Sequence, residues 1–318
     1  MRFLVSGGAG FLGSALANKL ANDGHEVRVL DDLSNGDRSN LNPQIAFTQG
    51  DVNNVPRLWS VLQGVDCVYH LAARVSVAES ILYPRDYNDA NVGGTVSLME
   101  AMRDAGVRRV VFASSGAIYG HHEQQPVYEL DPARPDSPYA VSKWAAEQYI
   151  DTIGTLWGLE TVSVRVFNAY GPGQPLPVSH APVISRFLQQ ALSGGSLVIH
   201  GQGQQSRDFI YVTDVVAALV AAATAQGVDR TVINVGSGVE TTIAQLVDTM
   251  ERVIGRKVNR VYNPDKVGGV NRLVADIERA RSLLGFQPQI DLEEGLRTTL
   301  AVDPRFQATL NQIRQATH

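Results

Sequence analysis

The sequence predicts an α/β fold, a doubly wound parallel sheet with a smaller C-terminal region. Three observations carry that expectation. Arg2–Ser6, an apolar strand, runs straight into a glycine-rich turn and then a helical pattern. Short apolar runs and helical patterns go on alternating as far as about residue 172. Beyond that point a Pro-rich loop intervenes and the alternation stops. The 318 residues are 44% apolar and 19% charged, enough for a large core. A net charge of −5 gives no electrostatic footprint for nucleic acid, and none is expected as a partner. No apolar run reaches the ~18 residues of a membrane span, and a strand at residue 2 leaves no room for a signal peptide. A cytoplasmic protein with no membrane partner is the expectation. Cys67, the single cysteine, sits in an apolar run and reads as a small core residue. Arg108 and Arg109 read as solvated charges.

The first turn has the spacing Gly7-x-x-Gly10-x-x-Gly13, with Phe11 and Leu12 inside it. A helix is expected from Ser14 to Ala21, and a second strand, Glu26 to Leu30, ends in Asp31-Asp32 with Asn35 close behind. Strand, glycine turn, helix, strand and acid within one βαβ unit is the pattern of a dinucleotide site. Gly7 allows the tight turn, Gly10 lets backbone approach a pyrophosphate, and Gly13 lets helix and strand pack closely. The helix N-terminus then faces the phosphates. Asp31 is placed to accept from the adenosine ribose and to repel a 2′-phosphate, which favours NAD over NADP. A glycine turn used only for packing is the alternative.

Ser137-Pro138-Tyr139-Ala140-Val141-Ser142-Lys143 opens a helix, with Pro138 in the first turn. Tyr139 and Lys143 are an i,i+4 pair on one face. A phenol is a poor base at neutral pH, with a pKa of about 10, and an ammonium beside it favours the phenolate. Alone the pair is no more than a common surface spacing; Tyr262 and Lys266 repeat it around Pro264. Ser114-Ser115-Gly116-Ala117 ends the buried strand Arg109–Ala113, where parallel sheets place ligands.

The glycine spacing and Tyr139-x-x-x-Lys143 resemble the short-chain dehydrogenase/reductase superfamily, and more closely its extended, nucleotide-sugar-modifying branch. The resemblance runs through most of the chain. It implies a Rossmann NAD domain over residues 1–172, with strands also from about 197–240, and a mainly substrate-binding region over 173–318. It assigns cofactor contacts to Asp51 and Val52 after a third strand (45–48), and to Leu71, Ala72 and Ala73 after a fourth strand closing at His70. Asn91, in the branch's asparagine segment, opens a helix to about Ala105 and is assigned to the cofactor side. Ser115 matches the branch's catalytic hydroxyl, completing Ser115, Tyr139 and Lys143. Tyr119 and His70 read as framework. His121-His122 reads as solvated, and no metal is expected.

Gly116-Ala117 stand where dehydrating members carry Asp-Glu and decarboxylating members Glu, so hydride removal and return is implied. Asn168, ending a strand from Thr161, matches a contact to the substrate's phosphate-linked portion and leans towards a neutral sugar. Arg207, in Gly201-x-Gly203…Arg207-Asp208-Phe209-x-Tyr211-Val212-x-Asp214, is the residue for the diphosphate; a salt bridge to Asp208 or Asp214 is its alternative. Lys266 replaces the branch's Arg and Gly269 its Asp, so either Lys266 or Arg272 is open as a second diphosphate ligand. Leu273 matches a position gating the sugar pocket. The implied activity is NAD-dependent C4 epimerisation of a nucleotide-diphosphate sugar through a 4-keto intermediate. UDP-glucose/UDP-galactose or their N-acetyl relatives are the expected substrates. Uronate epimerase, decarboxylase, 4-ketoreductase or a catalytically idle dinucleotide-binding sensor are the alternatives. A homodimer is implied through the helices opening at Asn91 and Tyr139, with Leu98, Met99, Met102, Trp144, Ile150 and Ile153 as surplus apolar positions. The tail 303–318 is assigned no function.

Overall fold

The computed structural model describes residues 1–176, 181–264, 270–307 and 309. Six strands of the first half are β1 (Arg2–Ser6), β2 (Glu26–Asp31), β3 (Ala46–Gln49), β4 (Cys67–His70), β5 (Arg109–Ser115) and β6 (Glu160–Val166). They are followed by β7 (Asn168–Tyr170), β8 (Ser196–His200), β9 (Ser206–Tyr211), β10 (Thr231–Val235), β11 (Glu240–Thr242) and β12 (Asn259–Asn263). The main sheet is parallel throughout, in the order β10-β6-β5-β4-β1-β2-β3. Its order reverses between β1 and β4, the switch point outside which ligands bind in such sheets.

Residues alternate between the two faces of each strand, so a sheet covered on both sides needs apolar residues at nearly every position. Phe3, Val5, Val29, Cys67, Tyr69 and Val111 point into one apolar cluster. Leu4, Leu30, Val68, Val110 and Phe112, one residue out of step, point into another. Helices α1 (Phe11–Asn22), α2 (Val55–Leu62), α3 (Val77–Leu82), α4 (Pro84–Tyr87), α5 (Gly94–Ala105), α6 (Pro138–Trp157), α7 (Val183–Leu192) and α8 (Val212–Thr224) come next in the chain's inventory. The series closes with α9 (Ile243–Ile254), α10 (Glu278–Leu284) and α11 (Leu292–Val302). α2, α5 and α6 cover the Leu4 face; α1 and α8 cover the Phe3 face. None of the described helices is long and apolar enough to cross a membrane.

Several expectations change on folding. α1 starts at Phe11 rather than Ser14, so the glycine turn feeds directly into the helix. α5 starts at Gly94, behind a π-helical turn over Asn88–Gly93. Of the 197–240 stretch only β10 joins the main sheet; β9 lies between β7 and β11 in a three-stranded sheet, and β8 pairs with β12. One apolar cluster also runs unbroken from Leu16 to Leu246, Leu296 and Phe306, so the C-terminal region shares the main core. Phe306 is buried, and Asp303 accepts from the Gly173 amide at 2.9 Å, which ties the start of the tail to the loop after β7. Arg109 is not a solvated charge: its guanidinium donates to the Ala225 carbonyl at 2.7 Å. His122 is buried, with Nε2 at 3.0 Å from the Pro132 carbonyl and its ring edge-on to Tyr119.

Candidate active site

The turn after β1 explains its own composition. Gly7 has φ +72°, and a Cβ there would strike the Ala72 backbone; a Cβ on Gly13 would strike the backbone of Gly7 and Gly8. At Gly10 a Cβ would meet only the Gly7 carbonyl, at 3.3 Å, leaving the outer side open to a ligand. Gly10 also caps α1 without any side-chain hydrogen bond, so the first amides of a twelve-residue helix keep their donors for an anion. Asp31 is buried at the end of β2. Its carboxylate accepts from Ala9 N at 2.9 Å and Leu33 N at 2.8 Å, holding the glycine turn and the next loop together. Asp32 accepts from Ser34 N and lies at the surface with Asn35. Asp51 is exposed beyond β3, Val52 packs under Gly94, and Leu71, Ala72 and Ala73 follow β4 half-buried beside the glycine turn. These groups fit an adenine dinucleotide: an open cradle of amides for the pyrophosphate and a carboxylate at the ribose end.

Asn91 departs from its cofactor assignment. Its amide donates to the Arg74 carbonyl and to Ser142 Oγ at 2.8 Å, and its oxygen accepts from Arg74 N at 2.8 Å. With both hydrogens spent on the protein, it braces α6 rather than reaching a cofactor. His70, pushed down to about 3 by burial, is neutral and sits between Ser6 Oγ and Thr95 Oγ1 at 2.7 and 2.9 Å, the framework role expected of it.

Ser137 caps α6, accepting from Ala140 N at 3.3 Å, and Pro138 occupies the first turn. That start projects Tyr139 towards the end of β5, near enough for the Ser115 hydroxyl, which itself accepts from Ala117 N at 3.1 Å, to favour the phenolate. Burial pushes the Tyr139 phenol up and Ser115 pulls it down. Tyr87 stands edge-on to Tyr139 at 6.4 Å and is itself tied to Glu79. The sequence reading puts the Lys143 ammonium beside the phenol. In the structure it rests 4.2 Å above the Phe112 ring and is 3% exposed. Burial pushes Lys143 down to about 7, opposed by the charge of Glu147 one turn along α6.

Glu147 belongs to a network the sequence reading missed. Arg165 clasps it with two nitrogens, at 2.6 and 3.1 Å, and Ser114 Oγ donates to it at 2.7 Å. Arg165 also donates to Tyr119 Oη at 2.8 Å, and Tyr119 to Asn234. The legible signal was the i,i+4 spacing of Lys143 and Glu147; Arg165 and Tyr87 carry none.

Asn168 lies exposed at the start of β7 and Arg207 half-buried on the neighbouring β9, so both belong to one small sheet. The salt-bridge alternative for Arg207 fails. Asp208 accepts from Ser237, Gly238 and Ala275, and Asp214 from Gln289 and Ile290. Arg207 donates only to the Ser206 carbonyl and, among the described residues, has no carboxylate within ion-pair distance. Leu273 is buried against Tyr119, Val127 and Phe167, and its carbonyl accepts from Asp208 N. Arg272 is committed elsewhere, with two bonds of 2.7 Å to Glu240, and is a poor second ligand for a diphosphate. Lys266 and Gly269 lie outside the described residues.

The parallel sheet, the glycine turn at a helix N-terminus and the acid closing β2 define a dinucleotide-binding Rossmann protein. The model of the NAD-dependent epimerase/dehydratase family matches residues 3–236, and the chain belongs to that family. It is 38% identical over 296 residues to a putative UDP-glucose 4-epimerase of Methanocaldococcus jannaschii, covering 92% of this chain and 95% of that one. The Thermotoga maritima UDP-glucose 4-epimerase solved with UDP-glucose has TM-score 0.90 and 34% identity, with full coverage of both chains. A UDP-N-acetylglucosamine 4-epimerase of Methanobrevibacter ruminantium in complex with UDP-N-acetylmuramic acid has TM-score 0.89 and 34% identity, covering 94% of this chain and 96% of that one. NAD is the cofactor of the family, and the cradle around Gly10 and Asp31 fits it.

The burial of Lys143 has a pH signature. The cofactor-free folded protein holds it near 7, whereas the unfolded chain holds it at about 10.4. Between those values the unfolded chain binds more protons, so the stability of the cofactor-free protein rises with pH. Relative to Lys143→Met, the wild type should gain about 2–3 kcal/mol between pH 7 and 9. Parallel stability curves for the two proteins, measured by urea unfolding, would show that Lys143 is not held this way.

Proposed function

We propose that the protein epimerises a nucleotide-diphosphate sugar at C4 through a transient 4-keto sugar. UDP-glucose and UDP-galactose are the foremost substrates, with their N-acetyl relatives next. The observation that carries this reading is the end of β5. Ser115 stands there near enough to Tyr139 to favour its phenolate, and Gly116 is packed so that a Cβ would touch the Phe167 ring at 3.1 Å. A larger side chain at that point would press on the ring, and Ala117 brings no acid either. Proton transfer at one hydroxyl is the chemistry left to these residues.

NAD, when bound, supplies the acceptor and donor of a hydride. Tyr139 takes the proton of the sugar 4-hydroxyl and returns it, and Ser115 donates a hydrogen bond to the same oxygen. Lys143, as an ammonium, favours the phenolate electrostatically from the next turn of α6. Arg207, lacking a carboxylate partner, and the exposed Asn168 hold the diphosphate. Anchoring the substrate by its nucleotide end leaves the ring free to present its other face.

Assembly as a homodimer belongs to the same reading, but of the residues expected only Trp144 stays exposed. Leu98, Met99, Met102, Ile150 and Ile153 are buried within the chain. Val141, Trp144 and Tyr149 on α6 remain exposed, with Val77, Ile81 and Leu82 on α3. They supply the apolar surface for a second copy. Sedimentation at micromolar protein should give twice the 34.4 kDa chain mass. The chain mass itself would contradict the dimer.

Tyr139→Phe should keep NAD binding and lose roughly 10²–10⁴-fold in turnover. Substrate deuterated at C4 should keep its label in the inverted product. Label appearing in solvent would mean that the hydrogen leaves C4 as a proton, and the reading would fail.

A further inference from the structure

The buried acid of α6 has no part in the proposed proton transfer, yet its surroundings are built with care. Glu147 is 2% exposed and lies one helical turn after Lys143. Three donors fix its carboxylate: Arg165 Nη2 at 2.6 Å, Arg165 Nε at 3.1 Å and Ser114 Oγ at 2.7 Å. Ser114 immediately precedes Ser115, so the same carboxylate pins the strand end that carries the hydroxyl. Arg165 lies three residues before Asn168 and stacks 4.8 Å from the Tyr119 ring.

The groups around the Lys143 ammonium are few. Glu147 comes from α6, Phe112 from β5 and His70 from β4; Arg165 of β6 faces Glu147. His70 is neutral and Phe112 is apolar. Among the described residues Glu147 is the one anion acting on Lys143. A counter-ion for Arg165 alone would not need to sit one turn from Lys143 or to hold Ser114.

We propose that Glu147 is a positioning residue for the acid–base pair. Braced by Arg165 and Ser114, its carboxylate keeps Lys143 an ammonium above the Phe112 ring and fixes the end of β5 beneath Ser115. This rests on the function proposed above for Ser115, Tyr139 and Lys143, and the test separates the two.

The protonation midpoint of Lys143 is read by competitive acetylation of the purified protein across pH, followed by peptide mass spectrometry. Glu147→Gln keeps the shape and removes the charge. Its midpoint should fall by about one pH unit or more. Turnover should fall by about tenfold or more with KM within about twofold, because positioning of an acid–base group is lost rather than substrate binding. A second variant, Glu147→Gln with Arg165→Met, leaves no unpaired buried guanidinium and serves if the single variant does not fold; since a cation leaves with the anion, its midpoint should fall, but by less than that of the single variant. Either variant, folded by circular dichroism and keeping the wild-type midpoint, overturns the proposal. Labelling needs no sugar. A lowered midpoint in a protein that turns over no nucleotide sugar would leave the role of Glu147 standing and sink the proposed function.

Discussion

Arg165 and Glu147 bring opposite charges to 2.6 Å with side chains only 7% and 2% exposed. Neither ion is stable there alone: taking one partner from a buried pair costs about 3–5 kcal/mol, because the other is left uncompensated. The pair therefore fixes the relative positions of the elements that bear its donors and acceptors. α6 brings Glu147, β6 brings Arg165, β5 brings Ser114, and Tyr119 joins them through its phenol. Tyr119 passes the constraint to Asn234 on β10, whose backbone amide is held by Glu129. Ser115, Lys143 and Asn168 lie within four residues of a member of this network, and Tyr139 is one turn further back along α6.

The remaining requirements of the site are met by separate means. Backbone curvature makes the cofactor cradle, since Gly7 and Gly13 let the turn, α1 and the Ala72 segment approach more closely than any side chain allows. Asp31 then holds the turn through the Ala9 amide. The small sheet of β7, β9 and β11 carries both the Arg207 guanidinium, on which the Asp136 charge acts without forming an ion pair, and the exposed Asn168. Asp208, which stands next to Arg207 in sequence, is turned away to hold Ser237, Gly238 and Ala275.

What was legible in the sequence was local. The βαβ opening, the i,i+4 pair on α6 and the buried run of β5 follow from periodicity and turn chemistry within a few residues. The resemblance extended this to Ser115 and Arg207. What could not be read depends on partners far apart in the chain. Asn91 looks like a cofactor residue until Arg74 and Ser142 consume its amide. Arg272 looks like a free cation until Glu240, 32 residues away, takes two of its three nitrogens. Leu98 and Ile150 look surplus on their helices because the faces of α2, α5 and α6 that bury them are set by the sheet below. Even the Tyr139–Lys143 pair, correctly placed on one face, gave no sign that Phe112 would draw the ammonium onto its ring.

If hydride leaves and returns to the same sugar within one turnover, no net oxidation of substrate occurs. The most direct test is to mix the NAD-bound protein with UDP-galactose and no further nucleotide. UDP-glucose is followed by NMR and reduced nicotinamide by absorbance. Many equivalents of UDP-glucose per protein should form, with reduced nicotinamide never exceeding the protein present. Sugar oxidised mole for mole with nicotinamide reduced, or no UDP-glucose from a protein that holds NAD, would contradict the return of hydride.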